Sequence, residues 1–429
     1  MFLRPSYAGS LGQPSQAALH EGIEAGRRRP LAHGSQLTKL VGPDDRIDHA
    51  RERNDSGTPT VRSPIMKTTF SDEESNVERY DLALIGFGGV NRALSELICE
   101  RGVDLSARMG FELRVVAITD LRMGSLISAD GIDLRAVLAM PSGDTFAGQA
   151  GGHAEPRNEE VIRSSSADII VEATFTNPVD GEPAVSHVKW ALESGKHVTT
   201  TNKGPVALAG EGLKRLAAQN EVQFEFEGSV MSGTPVIRLG RQLSRGLDVS
   251  GFEGILNGTS NYVIGRMEEG MTLANAVVEA QTHGYAEADP SADIEGSDVQ
   301  LKVVILANEL LGANLTTQDV SRVGISELTA DDIVRAATEG KRWKLIGSAT
   351  RASDGSVTAK VRPLAVPDGH PLYGVNGPTN ALTYWTDLLG DVTIVGAGAG
   401  RVETAYALLS DILAIHDSAQ VRSIEASNA

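Results

Sequence analysis

Tyr80-Asp81-Leu82-Ala83-Leu84-Ile85-Gly86-Phe87-Gly88-Gly89-Val90-Asn91 is the stretch on which the fold turns. Leu82–Ile85 is short and wholly apolar, as suits a strand buried on both faces, and it halts at a cluster of glycines. Ala93, Leu94, Leu97 and Ile98 then recur at helical spacing until Gly102. The reading is strand, glycine turn, helix. A second apolar run, Leu113–Thr119, ends on Asp120, and a third, Asp168–Thr174, follows a polar insertion around 141–166. The helical segment Ala184–Ser194, closed by Gly195, leads into another strand ending at Asn202-Lys203. Buried strands alternating with helices imply a parallel sheet covered on both faces.

That pattern is α/β, a doubly wound parallel sheet of Rossmann type, assigned to residues 77–224. Beyond about Phe224 the rhythm changes to glycine-rich turns, a long helix over about 298–311, and strands at Val357–Leu364 and Ala381–Trp385. Residues 225–390 read as a second, mixed α+β domain. Thr393–Gly400 then leads into a helix from Val402 to Ile415, within a C-terminal segment 391–429. Residues 1–76 show neither helical nor alternating periodicity and read as a disordered extension. Met66 opens a stretch like an ordinary acidic N-terminus, so translation starting there is an expectation, and the cluster Arg27-Arg28-Arg29 reads as a solvated patch of the tail.

Composition narrows the partners. The 429 residues hold 39 Lys plus Arg against 56 Asp plus Glu, a formal charge of -17. Residues 1–65 carry nine basic and seven acidic residues, so the remainder is more acidic still, which opposes nucleic acid and anionic membranes. Cys99, the single cysteine, cannot form an internal disulfide, and the sequence suits a soluble protein of the reducing cytoplasm.

Gly86-x-Gly88-x-x-Asn91 stands where a dinucleotide fingerprint belongs. Gly86 allows the tight turn, Gly88 lets backbone approach a pyrophosphate, and the helix start offers amide donors; Asn91 departs from the third glycine of that pattern. Asp120 closes the second strand where an acid accepts hydrogen bonds from an adenosine ribose, while Arg122, two residues on, suits a 2′-phosphate. NAD and NADP are both compatible with this pair. Further along, Glu287, Asp289, Asp293, Glu295 and Asp298 crowd five carboxylates into twelve residues. Calcium of the EF-hand kind is excluded, because Ile294 occupies the position that needs glycine. Lys302 lies in the aliphatic helix that follows, with Asp298 four residues earlier on its face. Burial disfavours its ammonium and the carboxylate favours it, an opposition by which a proton donor is tuned. An ordinary ion pair has the same spacing.

GFGGVNRAL at 86–94, TTNKGPVALAG at 200–210, FEGSVMSGTPVI at 226–237, LNGTSNYVIGRM at 256–267, YAEADPSADIEGSDVQLKVVIL at 285–306 and VGAGAGRVETA at 395–405 together resemble homoserine dehydrogenase. The matches run in family order over about residues 80–420. The resemblance implies an enzyme interconverting L-aspartate 4-semialdehyde and L-homoserine with NADP or NAD, in threonine and methionine biosynthesis. By carry-over Lys302 is the general acid or base and Asp298 orients it; Glu287, Asp293 and Lys203 hold substrate. The cofactor set is Gly86, Phe87, Gly88, Gly89, Val90, Asp120, Arg122, Thr174, Lys203, Gly398 and Gly400. A sodium ion would sit at Glu227, Val230, Ser232 and Thr234, the later ones through backbone carbonyls. A homodimer formed through the second domain, and a C-terminal helix returning to the first, are implied likewise. The sequence stops at Ala429 without room for a C-terminal regulatory domain of the ACT type, so little threonine feedback is expected. The rivals are another NAD(P)-dependent amino-acid or aldehyde dehydrogenase, and a non-catalytic dinucleotide-binding sensor.

Overall fold

The computed structural model describes residues 78–427, so the expectations for 1–76, the Arg27-Arg28-Arg29 cluster and Met66 lie outside the described residues. The first sheet comprises β1 (Glu78–Ile85), β2 (Phe111–Asp120), β3 (Gly124–Ile127), β4 (Gly152–His153), β5 (Ile169–Glu172), β6 (His197–Thr200) and β7 (Phe224–Glu225), in the order β4-β3-β2-β1-β5-β6-β7. From β2 to β7 the neighbours run parallel, and β3 and β4 add an antiparallel edge. The connecting helices are α1 (Gly89–Met109), α2 (Leu134–Leu138), α3 (Asn158–Ser164), α4 (Ala184–Glu193) and α5 (Lys203–Gln219). The strand order reverses between β1 and β5, and such a switch point opens a crevice at the carboxyl ends of the strands. The glycine turn lies there. The insertion around 141–166 contains β4 and α3, whose four-residue partner β3 and own two residues are too short for alternation to register.

The second layer begins with α6 (Val236–Leu243), β8 (Val249–Ile255), α7 (Gly258–Glu268), α8 (Leu273–Thr282), α9 (Ser291–Ile294) and α10 (Ser297–Leu310). It continues with β9 (Val320–Arg322), α11 (Ala330–Thr338), β10 (Lys341–Arg351), β11 (Val357–Pro367), β12 (Thr379–Thr386) and β13 (Gly390–Ala397). Its six strands are ordered β13-β12-β8-β10-β11-β9, antiparallel apart from the β11–β9 pair. α10 lies close on this sheet because β10 offers Gly347 beneath it: a Cβ there would stand 2.6 Å from Val303 and 2.7 Å from Val299. Val299, Val303, Leu306 and Leu310 are buried, each stabilising the packing by roughly 1.5–3 kcal/mol. This contact fixes the helix that carries Lys302.

The last helix, α12 (Arg401–Ser427), runs back to the first sheet. Ala405, Leu408, Leu409, Ile412 and Ile415 join the apolar cluster of Leu82, Leu94 and Phe111. On another face buried Asp411 accepts from the Thr199 hydroxyl at 2.8 Å, from the Glu227 amide at 3.2 Å and from Arg238 Nη2 at 2.7 Å. One carboxylate thus ties α12 to β6 and to the start of α6.

β10 also buries a cation. Lys344 is 1% exposed and donates to the Val375 carbonyl at 2.5 Å and to Asn261 Oδ1 at 3.1 Å, holding the chain before β12. Burial first, then Arg342, pushes its ammonium down to about 8. The unfolded chain therefore binds this proton more tightly, and stability rises with pH between about 8 and the ordinary lysine value of about 10.4. Denaturation midpoints measured across that window should climb for the wild type and lose that increment in Lys344→Met.

Candidate active site

Gly86 has φ of +81°, and a Cβ on it would lie 2.9 Å from the Ala173 carbonyl, so the turn requires glycine. Above Gly88 a Cβ would meet open space, while one on Gly89 would press on the Arg401 side chain at 3.2 Å. Gly88 caps α1 without a side chain and the first turn, which includes half-buried Val90, has no acidic residue. The leading amides are therefore open to an anion. Asn91, the departure from the fingerprint, is fully buried and donates from Nδ2 to the Gly86 carbonyl at 2.7 Å. Its amide locks the turn to the strand end, work that a third glycine could not do.

Asp120 has a double part. Its carboxylate accepts from the Phe87 amide at 3.0 Å and the Arg122 amide at 2.8 Å, so it fastens buried Phe87 to the end of β2 while facing the crevice. The crevice is a cavity of about 210 Å³ lined by Gly86, Gly88, Asp120, Leu121, Thr174, Phe175 and His187 among others. Arg122, exposed, lines an adjoining depression with Arg92 and Asp144. Thr174 donates its hydroxyl to buried Glu172, which also accepts from the Thr200 hydroxyl at 2.8 Å. His187 and Asn158 line the same wall, 2.9 Å apart, and carry no sequence signal beyond isolated polar types.

Asn202 connects this crevice to a second constellation. It caps α5 by accepting from the Gly204 amide, and its Nδ2 donates to the Phe175 carbonyl at 2.9 Å. The next residue, Lys203, extends to Asp298 Oδ1 at 3.4 Å. Lys302 Nζ lies 2.8 Å from Asp298 Oδ2, and it donates to the Leu256 carbonyl at 2.6 Å. Asn257 Nδ2 bridges Asp298 Oδ2 at 2.9 Å and Asp293 Oδ1 at 2.6 Å. Lys203, Asp293, Asp298 and Lys302 are thus brought together, with Asn257 as the member that sequence reasoning missed. Its signal was an N-cap: Asn257 accepts from the Ser260 amide at the start of α7.

The electrostatics divide the two carboxylates. Burial opposes the charge of Asp298, but Lys302 and then Lys203 outweigh it and hold the carboxyl far below the usual range. Asp293 is pushed upward, by burial first and by neighbouring Asp298 next. A carboxylate so placed gains from an arriving cation. Lys302 is 7% exposed, and an ammonium has three hydrogens. With the Leu256 carbonyl and Asp298 holding two, one is free to meet an oxygen.

Glu287 does not join the cluster: it is exposed, on a loop anchored by Gln281 Nε2 donating to the Glu287 and Ala288 carbonyls. Gly398 and Gly400 serve close packing. A Cβ on Gly398 would lie 2.1 Å from Asn380 Cγ, and Gly400, at φ of +139°, has Glu403 against it. At the expected cation position, Glu227 is buried and caps α6, accepting from the Ile237 and Arg238 amides, each at 2.8 Å. Burial raises its carboxyl while those amides and Arg238 oppose the rise. Ser232 shares a hydrogen bond with Thr404 and Thr234 donates to the Ala397 carbonyl. Val230 is buried. Among the described residues no group of three His, Cys, Asp or Glu side chains is arranged to hold a metal.

Residues 235–413 match the family model described as homoserine dehydrogenase. Over 341 residues the chain is 58% identical to an NAD(+)-dependent homoserine dehydrogenase of Pseudomonas canavaninivorans, an alignment spanning 79% of this chain and 97% of that protein. A homoserine dehydrogenase of Methanocaldococcus jannaschii is 38% identical over 343 residues, 79% of this chain and 99% of its own. Among solved structures, a hyperthermophilic archaeal homoserine dehydrogenase in complex with NADPH superposes with a TM-score of 0.69 at 28% identity, over 79% of this chain and 98% of that one.

Proposed function

The chain belongs to the homoserine dehydrogenase family of NAD(P)-dependent oxidoreductases, which interconvert L-aspartate 4-semialdehyde and L-homoserine, and we propose that Lys302 is the group that moves the proton. One observation carries this reading: a buried ammonium with two hydrogens held, by the Leu256 carbonyl and Asp298, and the third unassigned. Bound nicotinamide supplies hydride in reduction and accepts it in oxidation. The chain must bring the two reacting carbons within about 3–3.5 Å and then manage the oxygen. As the carbonyl oxygen gains negative charge, Lys302 stabilises it and donates its proton. Asp298, 2.8 Å from Nζ, orients the lysine. Lys203, on the other oxygen of Asp298, faces the cofactor side through its neighbour Asn202.

Asp293, whose carboxyl is raised by burial and by Asp298, takes the substrate ammonium, and Glu287, exposed on its loop in the ligand-free chain, reaches that ammonium once substrate is bound. The glycine turn and the α1 amides hold the pyrophosphate, and Gly398 and Gly400 shape the returning turn at the nicotinamide end. Glu227 already spends its carboxylate on α6, so a sodium ion would rest on backbone carbonyls such as those of Val230 and Ser232, with Thr234 beside them, and no step runs through it. On this reading residues 77–224 bind the dinucleotide, 225–390 bind substrate and dimerise, and 391–429 return to the first domain. The chain then acts as a cytoplasmic homodimer, and scattering should give twice the 45.3 kDa of one chain. Among the described residues no helix is long and apolar enough to cross a membrane.

Asp120 favours NAD over NADP, as does the name of the Pseudomonas relative. Its carboxylate opposes a 2′-phosphate, whereas the nearby Arg122 side chain is exposed. The ratio of kcat/KM for NAD to that for NADP should be about tenfold or more. It should narrow in Asp120→Ser even as both KM values rise, because Asp120 also fastens the turn. A wild-type preference for NADP would remove this assignment. The function itself is tested by following NADH formation with L-homoserine.

A further inference from the structure

We propose that Asn380 receives the carboxamide of the nicotinamide ring, an inference that rests on the dehydrogenase reading above. Asn380 is fully buried at the start of β12, and neither Oδ1 nor Nδ2 has a hydrogen-bond partner. Two orphaned polar atoms on one buried side chain cost free energy and call for an explanation. The neighbourhood supplies it. β12 pairs with β8 at Ala381 and Ile255, so Asn380 stands one residue on, beside Leu256, whose carbonyl receives Lys302. Asn380, Leu382 and Tyr384 alternate onto one face, and the latter two pack in the cluster that contains Val299 and Val303 of α10. Asn380 therefore shares the side of the sheet that carries the proposed proton donor.

Across the other strand its partner is Gly396. A Cβ on Gly398 would lie 2.1, 2.2 and 2.3 Å from Cγ, Nδ2 and Oδ1 of Asn380, nearly equidistant from all three. Gly398 thus covers the face of the amide, and the edge bearing donor and acceptor is left unsatisfied. A ligand completing that edge must offer an acceptor and a donor together. A carboxylate would satisfy Nδ2 and repel Oδ1; an ammonium would do the reverse. A primary carboxamide satisfies both, its oxygen accepting from Nδ2 and its N–H donating to Oδ1. The cofactor of this family carries that group on the ring that must face the substrate carbonyl.

Asn380→Leu removes the orphaned atoms at similar volume, so the ligand-free variant should melt no lower than the wild type. Calorimetric titration with NAD should nevertheless show Kd about tenfold weaker, the size expected for two lost neutral hydrogen bonds. The 3-acetylpyridine analogue, which lacks the carboxamide NH2, should bind the wild type several-fold more weakly than NAD and bind Asn380→Leu about as well as NAD does. Should the leucine variant not fold, Asn380→Asp, which keeps the acceptor and loses the donor, is titrated with the same two nucleotides and should weaken NAD binding. Unchanged Kd, or retained discrimination against the analogue, overturns the proposal and leaves the amide to an ordered water. A wild type that discriminates between the nucleotides yet does not oxidise homoserine contradicts the substrate reading alone.

Discussion

Lys302→Ala lowers turnover with homoserine about 10²–10⁴-fold, the usual size of a general acid–base contribution, while NAD binds as it does to the wild type. The split follows from position. Lys302 lies on α10 over the second sheet, whereas the glycine turn, Asp120 and Thr174 that face the dinucleotide crevice belong to the first. The variant retains its fold because Asp298 keeps Lys203 and Asn257 as partners, so no buried carboxylate is abandoned. Nucleotide titration and NADH absorbance on the same preparation check both halves. A fall in nucleotide affinity matching the fall in rate would mean that Lys302 holds the site together without transferring a proton.

Asp411→Ala destabilises the protein by about 3–5 kcal/mol, the cost of breaking a buried pair by removing one partner. The change strands the Thr199 hydroxyl and the Glu227 amide and leaves the Arg238 guanidinium only Glu227 Oε2, at 3.8 Å. Asp411→Asn, which can still accept from some of these donors, should cost less. Urea unfolding of the two variants gives the comparison. The carboxyl of Asp411 is pushed well above its ordinary value by burial and then by Glu225, with Arg238 opposing. The folded state therefore holds this proton more tightly than the unfolded chain does, and the contribution of the group shrinks as pH rises from the usual aspartate range upward. Loss of the aspartate without loss of stability would show that α12 is held by its apolar face alone.

What could be read beforehand was local. Leu82–Ile85 and the glycines after it announced their strand and turn because burial on both faces and φ above zero each demand particular residue types. Asp298 and Lys302 were a visible pair because four residues bring side chains together on any helix. The partners that give the pair its chemistry were not visible. The Leu256 carbonyl is 46 residues from Lys302 and Asn257 is 41 from Asp298, contacts made only when β8 and α10 pack. β10, central in the second sheet, escaped notice because it opens Lys341-Arg342-Trp343-Lys344, which looks solvated, although Lys344 is buried on backbone carbonyls. Glu287 shows the opposite limit of locality. It shares a run of acids with Asp293, yet its loop leaves it in solvent while α9 carries Asp293 to Asn257. Asn91 looked like a defect in the fingerprint; its reach to the Gly86 carbonyl becomes apparent only in three dimensions.

Two lysines flank one aspartate, and only Lys302 carries the transferred proton. Adding ethylammonium to Lys302→Ala and to Lys203→Ala, and following NADH oxidation with aspartate semialdehyde, separates the two. The rate of Lys302→Ala should rise with amine concentration as the small cation enters the space left beside Asp298, and Lys203→Ala should not respond. Full activity of Lys302→Ala without amine, or rescue confined to Lys203→Ala, would contradict the assignment.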